Sequence, residues 1–82
     1  MIKTITVTPD DIANGEMHSC LNCPVALALD RQGHSTHVGI RTTHFHSNGS
    51  VVPTPESVTR FIRDFDSGLP VEPFAFDIEV PA

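Results

Sequence analysis

The apolar residues of this chain change period between its last two segments. Val58, Phe61, Ile62 and Phe65 recur at the three-and-four spacing of one helix face. Phe74, Phe76, Ile78 and Val80 then alternate with Ala75, Asp77 and Glu79, the period of a half-buried strand. Each element is apolar on one side only and must bury that side against another layer. A chain of 82 residues supplies one such core, so residues 1–82 are expected to form a single domain.

The remaining segments fit that frame. Residues 2–7 are rich in β-branched side chains and predict a strand with Ile5 and Val7 on one face. Thr8-Pro9-Asp10-Asp11 carries the cap, proline and acids of a helix start, and Gly15 ends that helix early. A second helix is expected from about Cys20 to Arg31, capped by Ser19 or, in competition, by Asn22, and stopped by Gly33. Its unbroken Val25–Leu29 run makes it the central buried helix, with Leu27 in the core. Residues 35–46 read as one long strand with Thr36, Val38, Ile40 and Thr42 on one face. Asn48-Gly49 turns it back into Ser50-Val51-Val52. Thr54-Pro55-Glu56 repeats the cap-proline-acid pattern and opens the last helix. The fold predicted is α+β: two layers, an antiparallel or mixed sheet of about four strands, and two main helices on one face.

Charge and hydropathy narrow the function. Ten acidic side chains against five basic ones give a net charge of −5. That balance repels phosphate backbones, and no Lys/Arg cluster offsets it, so no nucleic-acid partner is expected. A basic protein surface suits it better. No apolar run reaches the roughly 20 residues of a membrane span. Residues 1–7 lack the pattern of a secretion signal, so a cytoplasmic location and reduced cysteines are expected.

Two residue groups point to chemistry. Cys20-x-x-Cys23 precedes a helix, where a thiolate is favoured. In outline this is similar to a glutaredoxin site, with Val52-Pro53 as candidate cis-proline. It departs from that family in the twelve residues between Val7 and Cys20 and in Pro24, which follows the pair. The same cysteines also fit two small buried side chains. His44-x-His46 projects two imidazoles from one face of a strand, and with Cys20 and Cys23 would complete a Cys₂His₂ zinc site. The acids Asp10, Asp11, Glu56, Asp64, Asp66, Asp77 and Glu79 fall at helix starts or on polar faces, where solvation or capping explains them. No nucleophile elbow, phosphate loop or dinucleotide fingerprint is present, and no catalytic residue is assigned.

The segments Ile5-Thr6-Val7-Thr8, Ser19-Cys20-x-x-Cys23-Pro24-Val25-Ala26-Leu27-Ala28-Leu29 and Phe61-Ile62-x-x-Phe65-Asp66-x-Gly68-x-Pro70-Val71-Glu72-Pro73-Phe74-x-Phe76 resemble small uncharacterised proteins of actinobacterial phages and their hosts. That resemblance implies an accessory phage protein in a bacterial cytoplasm and brings no activity with it. The expectation is a small acidic, non-enzymatic binding or regulatory protein acting on a protein partner. Contact would run through a sheet edge or the Pro70–Phe74 segment, and self-association through the final strand is a related route. A zinc-stabilised module and a thiol–disulfide protein are the alternatives.

Overall fold

The two ends of the chain form one ribbon. The computed structural model, which describes residues 1–81, places β1 (Ile2–Val7) antiparallel to β5 (Phe74–Glu79), with Ile5 opposite Phe76 and Val7 opposite Phe74. Ile5, Val7, Phe76 and Ile78 all face inward and are buried, as their alternation requires.

Helix α1 (Pro9–Asn14) begins where its cap chemistry directs. The Asp11 amide donates to Thr8 Oγ1 at 3.2 Å, and the Thr8 amide donates to the Asp11 carboxylate at 2.9 Å, a reciprocal capping box. Arg31, at the end of α2 (Pro24–Arg31), donates to Asp11 Oδ1 at 2.6 Å and to the Thr6 carbonyl at 2.8 Å. One guanidinium thus ties β1, α1 and α2 together.

The predicted 35–46 strand is instead two. β2 (Thr36–Val38) and β3 (Thr42–Phe45) pair antiparallel through a tight turn at Ile40 and Arg41, with Gly39 N–H donating to the Thr42 carbonyl at 2.9 Å. The turn changes the parity of everything after it. Thr36 and Val38 stay buried as expected, but Ile40 and Thr42 are exposed, and Thr43 and Phe45 turn inward. The Asn48-Gly49 hairpin forms as predicted and delivers β4 (Val51–Pro53). Gly49 there takes φ 73°, the left-handed region that favours glycine.

Helix α3 (Glu56–Asp66) buries Val58, Phe61 and Ile62, with Phe65 partly covered. Phe61 stacks on Phe74 at 4.8 Å, joining this helix to β5. The fold is α+β, as predicted. Among the described residues, the single sheet of about four strands is corrected to two antiparallel sheets, β1–β5 and β2–β3–β4, with three helices. The early reversal at residues 40–41 causes this: it makes residues 36–53 a self-contained meander and leaves β1 to pair with β5. Helix α2 packs on both β1 and β2, and the buried apolar side chains of both sheets, of α2 and of α3 belong to one core. Leu29, not Leu27, is the fully buried leucine of α2; Leu27 lies at its margin.

Candidate functional site

Pro24 decides how the C-x-x-C segment folds. A proline restricts the residue before it to extended backbone, and Cys23 sits at φ −70°, ψ 163°. Helix α2 therefore starts at Pro24, later than the expected Cys20, and Cys23 is its N-cap. Neither Ser19 nor Asn22 caps it. Cys23 Sγ accepts the Ala26 amide at 3.4 Å, while Ser19 Oγ accepts the Asn22 amide at 3.0 Å in a local turn. The Glu16 amide donates to the Asn22 carbonyl at 2.8 Å, closing the 15–23 loop on itself. Gly15 and Pro24 meet at its base: a Cβ on Gly15 would stand 2.5 Å from Pro24 Cδ, so only glycine permits that approach.

This loop is pinned to α3 by Asp66. Asp66 Oδ1 accepts the His18 amide at 2.9 Å, and His18 holds a left-handed backbone, φ 58°, unusual outside glycine. On its other side, the Cys20 carbonyl accepts the Val38 amide at 2.9 Å. Between loop, β2–β3 turn and the end of α3 lies a cleft of about 410 Å³. Its lining combines the polar His18, Cys20 and Asp66 with the apolar Val38, Ile40 and Ile62 and the buried Cys23. Ile40, on the cleft wall, is 44% exposed, and the bounding loop carries two further exposed apolar side chains, Met17 and Leu21, at 48% and 54%.

The two thiols are free and differ sharply. Cys20 is exposed. Cys23 is 3% exposed, and burial pushes its thiol up, against the opposing pull of the Ala26 and Val25 amides. The thiol at the helix terminus is thus the inert one, and the accessible thiol lies outside the helix. Val52–Pro53 is a trans bond on β4, not the expected cis-proline. Two parts of the expected glutaredoxin-like outline are thus absent among the described residues: an accessible thiol at the helix start and a cis-proline at Pro53.

The four expected zinc ligands do not come together. His44 and His46 alternate with the buried Thr43 and Phe45, so their rings leave the outer face of the β2–β3–β4 sheet. Cys23 belongs to the core on the inner face, with Val38 and Phe45. Among the described residues, no group of three or more His, Cys, Asp or Glu is placed to hold a metal ion. His44 faces His37 across the strands, with ring centroids 6.0 Å apart, and His46 Nδ1 lies 3.2 Å from Ser35 Oγ.

The other expected contact surfaces are partly occupied. Val71 and Phe74 pack against the core, leaving an open groove of about 270 Å³ between α3 and residues 70–74. Pro53 closes the β4 edge strand without a backbone donor. No helix among the described residues is long and apolar enough to cross a membrane. Comparison with protein-family models, curated proteins and solved structures finds no match to this chain.

Proposed function

We propose that this chain is a small acidic, non-enzymatic interaction module that acts by binding another protein through the cleft between the 15–23 loop and the β2–β3 turn. One observation carries the reading: Ile40 stands exposed on the wall of a preformed, partly apolar cleft, and the loop that bounds that cleft carries the exposed Met17 and Leu21. Exposed apolar side chains gathered at a concave site mark a contact surface more than a solvated one. The loop is held in place by Asp66 and the Cys20–Val38 hydrogen bond, so binding need not pay to order it.

The occupant suited to this surface is a protein segment that inserts an apolar side chain and carries basic neighbours. Asp66 lines the cleft, Glu16 lies on the loop, and the chain's net charge of −5 favours encounter with a basic surface. An accessory role in a bacterial cytoplasm, as for the phage proteins it resembles, agrees with this reading.

The test compares the parent with the double variant Leu21→Ser/Ile40→Ser. Both positions are exposed, so the fold should survive the exchange. The parent, immobilised and exposed to bacterial lysate, should retain a defined basic protein that the variant does not. Identical retention by both proteins would remove the cleft from the interface. A second copy of the chain as occupant would appear as a dimer in sedimentation that the same substitutions dissolve.

A further inference from the structure

We infer that His37 and His44 form a two-imidazole chelate for a borderline divalent cation such as Zn²⁺, on the face of the sheet turned away from the core. This is independent of the cleft and its partner. The β2–β3 turn places the two residues directly opposite each other. The hydrogen bonds Gly39 N–H to Thr42 O and His46 N–H to Ser35 O flank them symmetrically, two residues to either side. Both side chains are exposed, and the rings lie 6.0 Å apart at 56° to one another.

That separation is close to what a shared metal needs. With Zn–N bonds of about 2.0–2.1 Å and a tetrahedral angle, two imidazole centroids sit about 5 Å apart. Closing by about 1 Å is within side-chain torsion on a fixed backbone. Among the described residues, the His44 ring makes a single polar contact, Nε2 with Thr42 Oγ1 at 3.4 Å, long and easily exchanged for water. Imidazole nitrogen suits Zn²⁺, Cu²⁺ and Ni²⁺ and disfavours Mg²⁺ and Ca²⁺. Two protein ligands leave positions open for water. The consequence for the fold is local: β2 is three residues long, and a cation bridging it to β3 adds a cross-strand tie.

The experiment is calorimetric titration of tag-free protein with Zn²⁺, run on the parent and on His37→Asn, His44→Asn, His46→Asn and Cys20→Ser. The parent should bind one zinc per chain. His37→Asn and His44→Asn should each weaken binding by at least roughly tenfold, since even losing a group behind a ligand costs that much. His46→Asn and Cys20→Ser should leave it unchanged. In the parent, zinc should shift the His37 and His44 imidazole proton resonances ahead of the others. All four variants alter exposed side chains, and an unchanged melting temperature without metal confirms that each is folded. No zinc uptake by the parent overturns the assignment. So does binding that survives loss of either imidazole, or that is lost with Cys20 or His46.

Discussion

Thr54 does not cap the helix it precedes; its hydroxyl donates to the Gly39 carbonyl at 2.7 Å, fifteen residues back in the chain. Helix α3 starts with Pro55 as N-cap and no side-chain cap bond. The Thr54 amide takes the Arg41 carbonyl at 3.0 Å, and Thr59 Oγ1 takes the Ile40 carbonyl at 2.7 Å. Three successive carbonyls of the β2–β3 turn therefore find donors in residues 54–59. Thr43 Oγ1, 1% exposed at the residue level, completes the set at 2.9 Å from Thr54 Oγ1.

Replacing Thr54 by Val keeps the shape and removes the hydroxyl. It leaves the Gly39 carbonyl and the Thr43 hydroxyl without this partner, a loss of about 1–3 kcal/mol. Thr54→Ser should retain most of the stability. Chemical denaturation of the two variants beside the parent checks this, and equal midpoints for Val and Ser would remove the turn's dependence on Thr54.

The core assignment separates residues that look alike in sequence. Leu29→Ala and Phe45→Ala should each cost about 2–5 kcal/mol, because both side chains are fully buried. Leu27→Ala, at the core margin, should cost clearly less. Thermal unfolding of the three variants gives the order directly; a Leu27 variant as unstable as the Leu29 variant would contradict the helix orientation.

How far the sequence could be read follows the range of the interactions. The capping box at Thr8 and Asp11, the Asn48-Gly49 hairpin and the Phe61/Phe74 faces depend on neighbours or on simple period, and they were legible. The reversal at Ile40 and Arg41 was not, because neither residue favours a turn and its donors come from Thr54 and Thr59. One signal did exist: in a continuous strand, Phe45 would share the outer face with His37 and Thr43, an unlikely place for a large apolar ring. The same missed turn hid His37 as the neighbour of His44. The cysteine pair is plain in the sequence, and the extended backbone that Pro24 imposes on Cys23 favours a later helix start. His18 and Asp66 joined it only through contact between positions 48 apart, which no local pattern announces.

The Asp11–Arg31 pair should make stability depend on acid. Burial alone would raise the Asp11 carboxyl, but the hydrogen bonds from Arg31 and Thr8 outweigh it and hold it below its ordinary value of 3.8. A carboxyl depressed in the folded state stabilises above its unfolded value, and that contribution is lost as pH falls through the folded one. Asp11→Asn should therefore be less stable than the parent at neutral pH, with the gap narrowing as pH drops below about 3.8. Unfolding curves of both proteins from neutral pH into acid check this; a gap that stays constant throughout would detach Asp11 from the effect.

The cysteines should react in two separate steps. Cys20 is exposed and should be alkylated in the folded protein, whereas Cys23 is buried with its thiol pushed up and should react only on unfolding. Mass spectrometry after brief treatment with iodoacetamide should show one adduct, at Cys20. Rapid modification of both would mean that the α2 start opens readily and that Cys23 is not a fixed cap.

That selectivity gives the most direct test of the proposed function, because Cys20 lies in the cleft. A thiol-linked photo-crosslinker placed on Cys20 and irradiated in bacterial lysate samples whatever occupies that surface. The expected result is a defined adduct with a basic protein, abolished by Leu21→Ser/Ile40→Ser and weakened by added salt. An adduct pattern unchanged by those substitutions, or no adduct beyond that of a probe placed on the far side of the molecule, would contradict it.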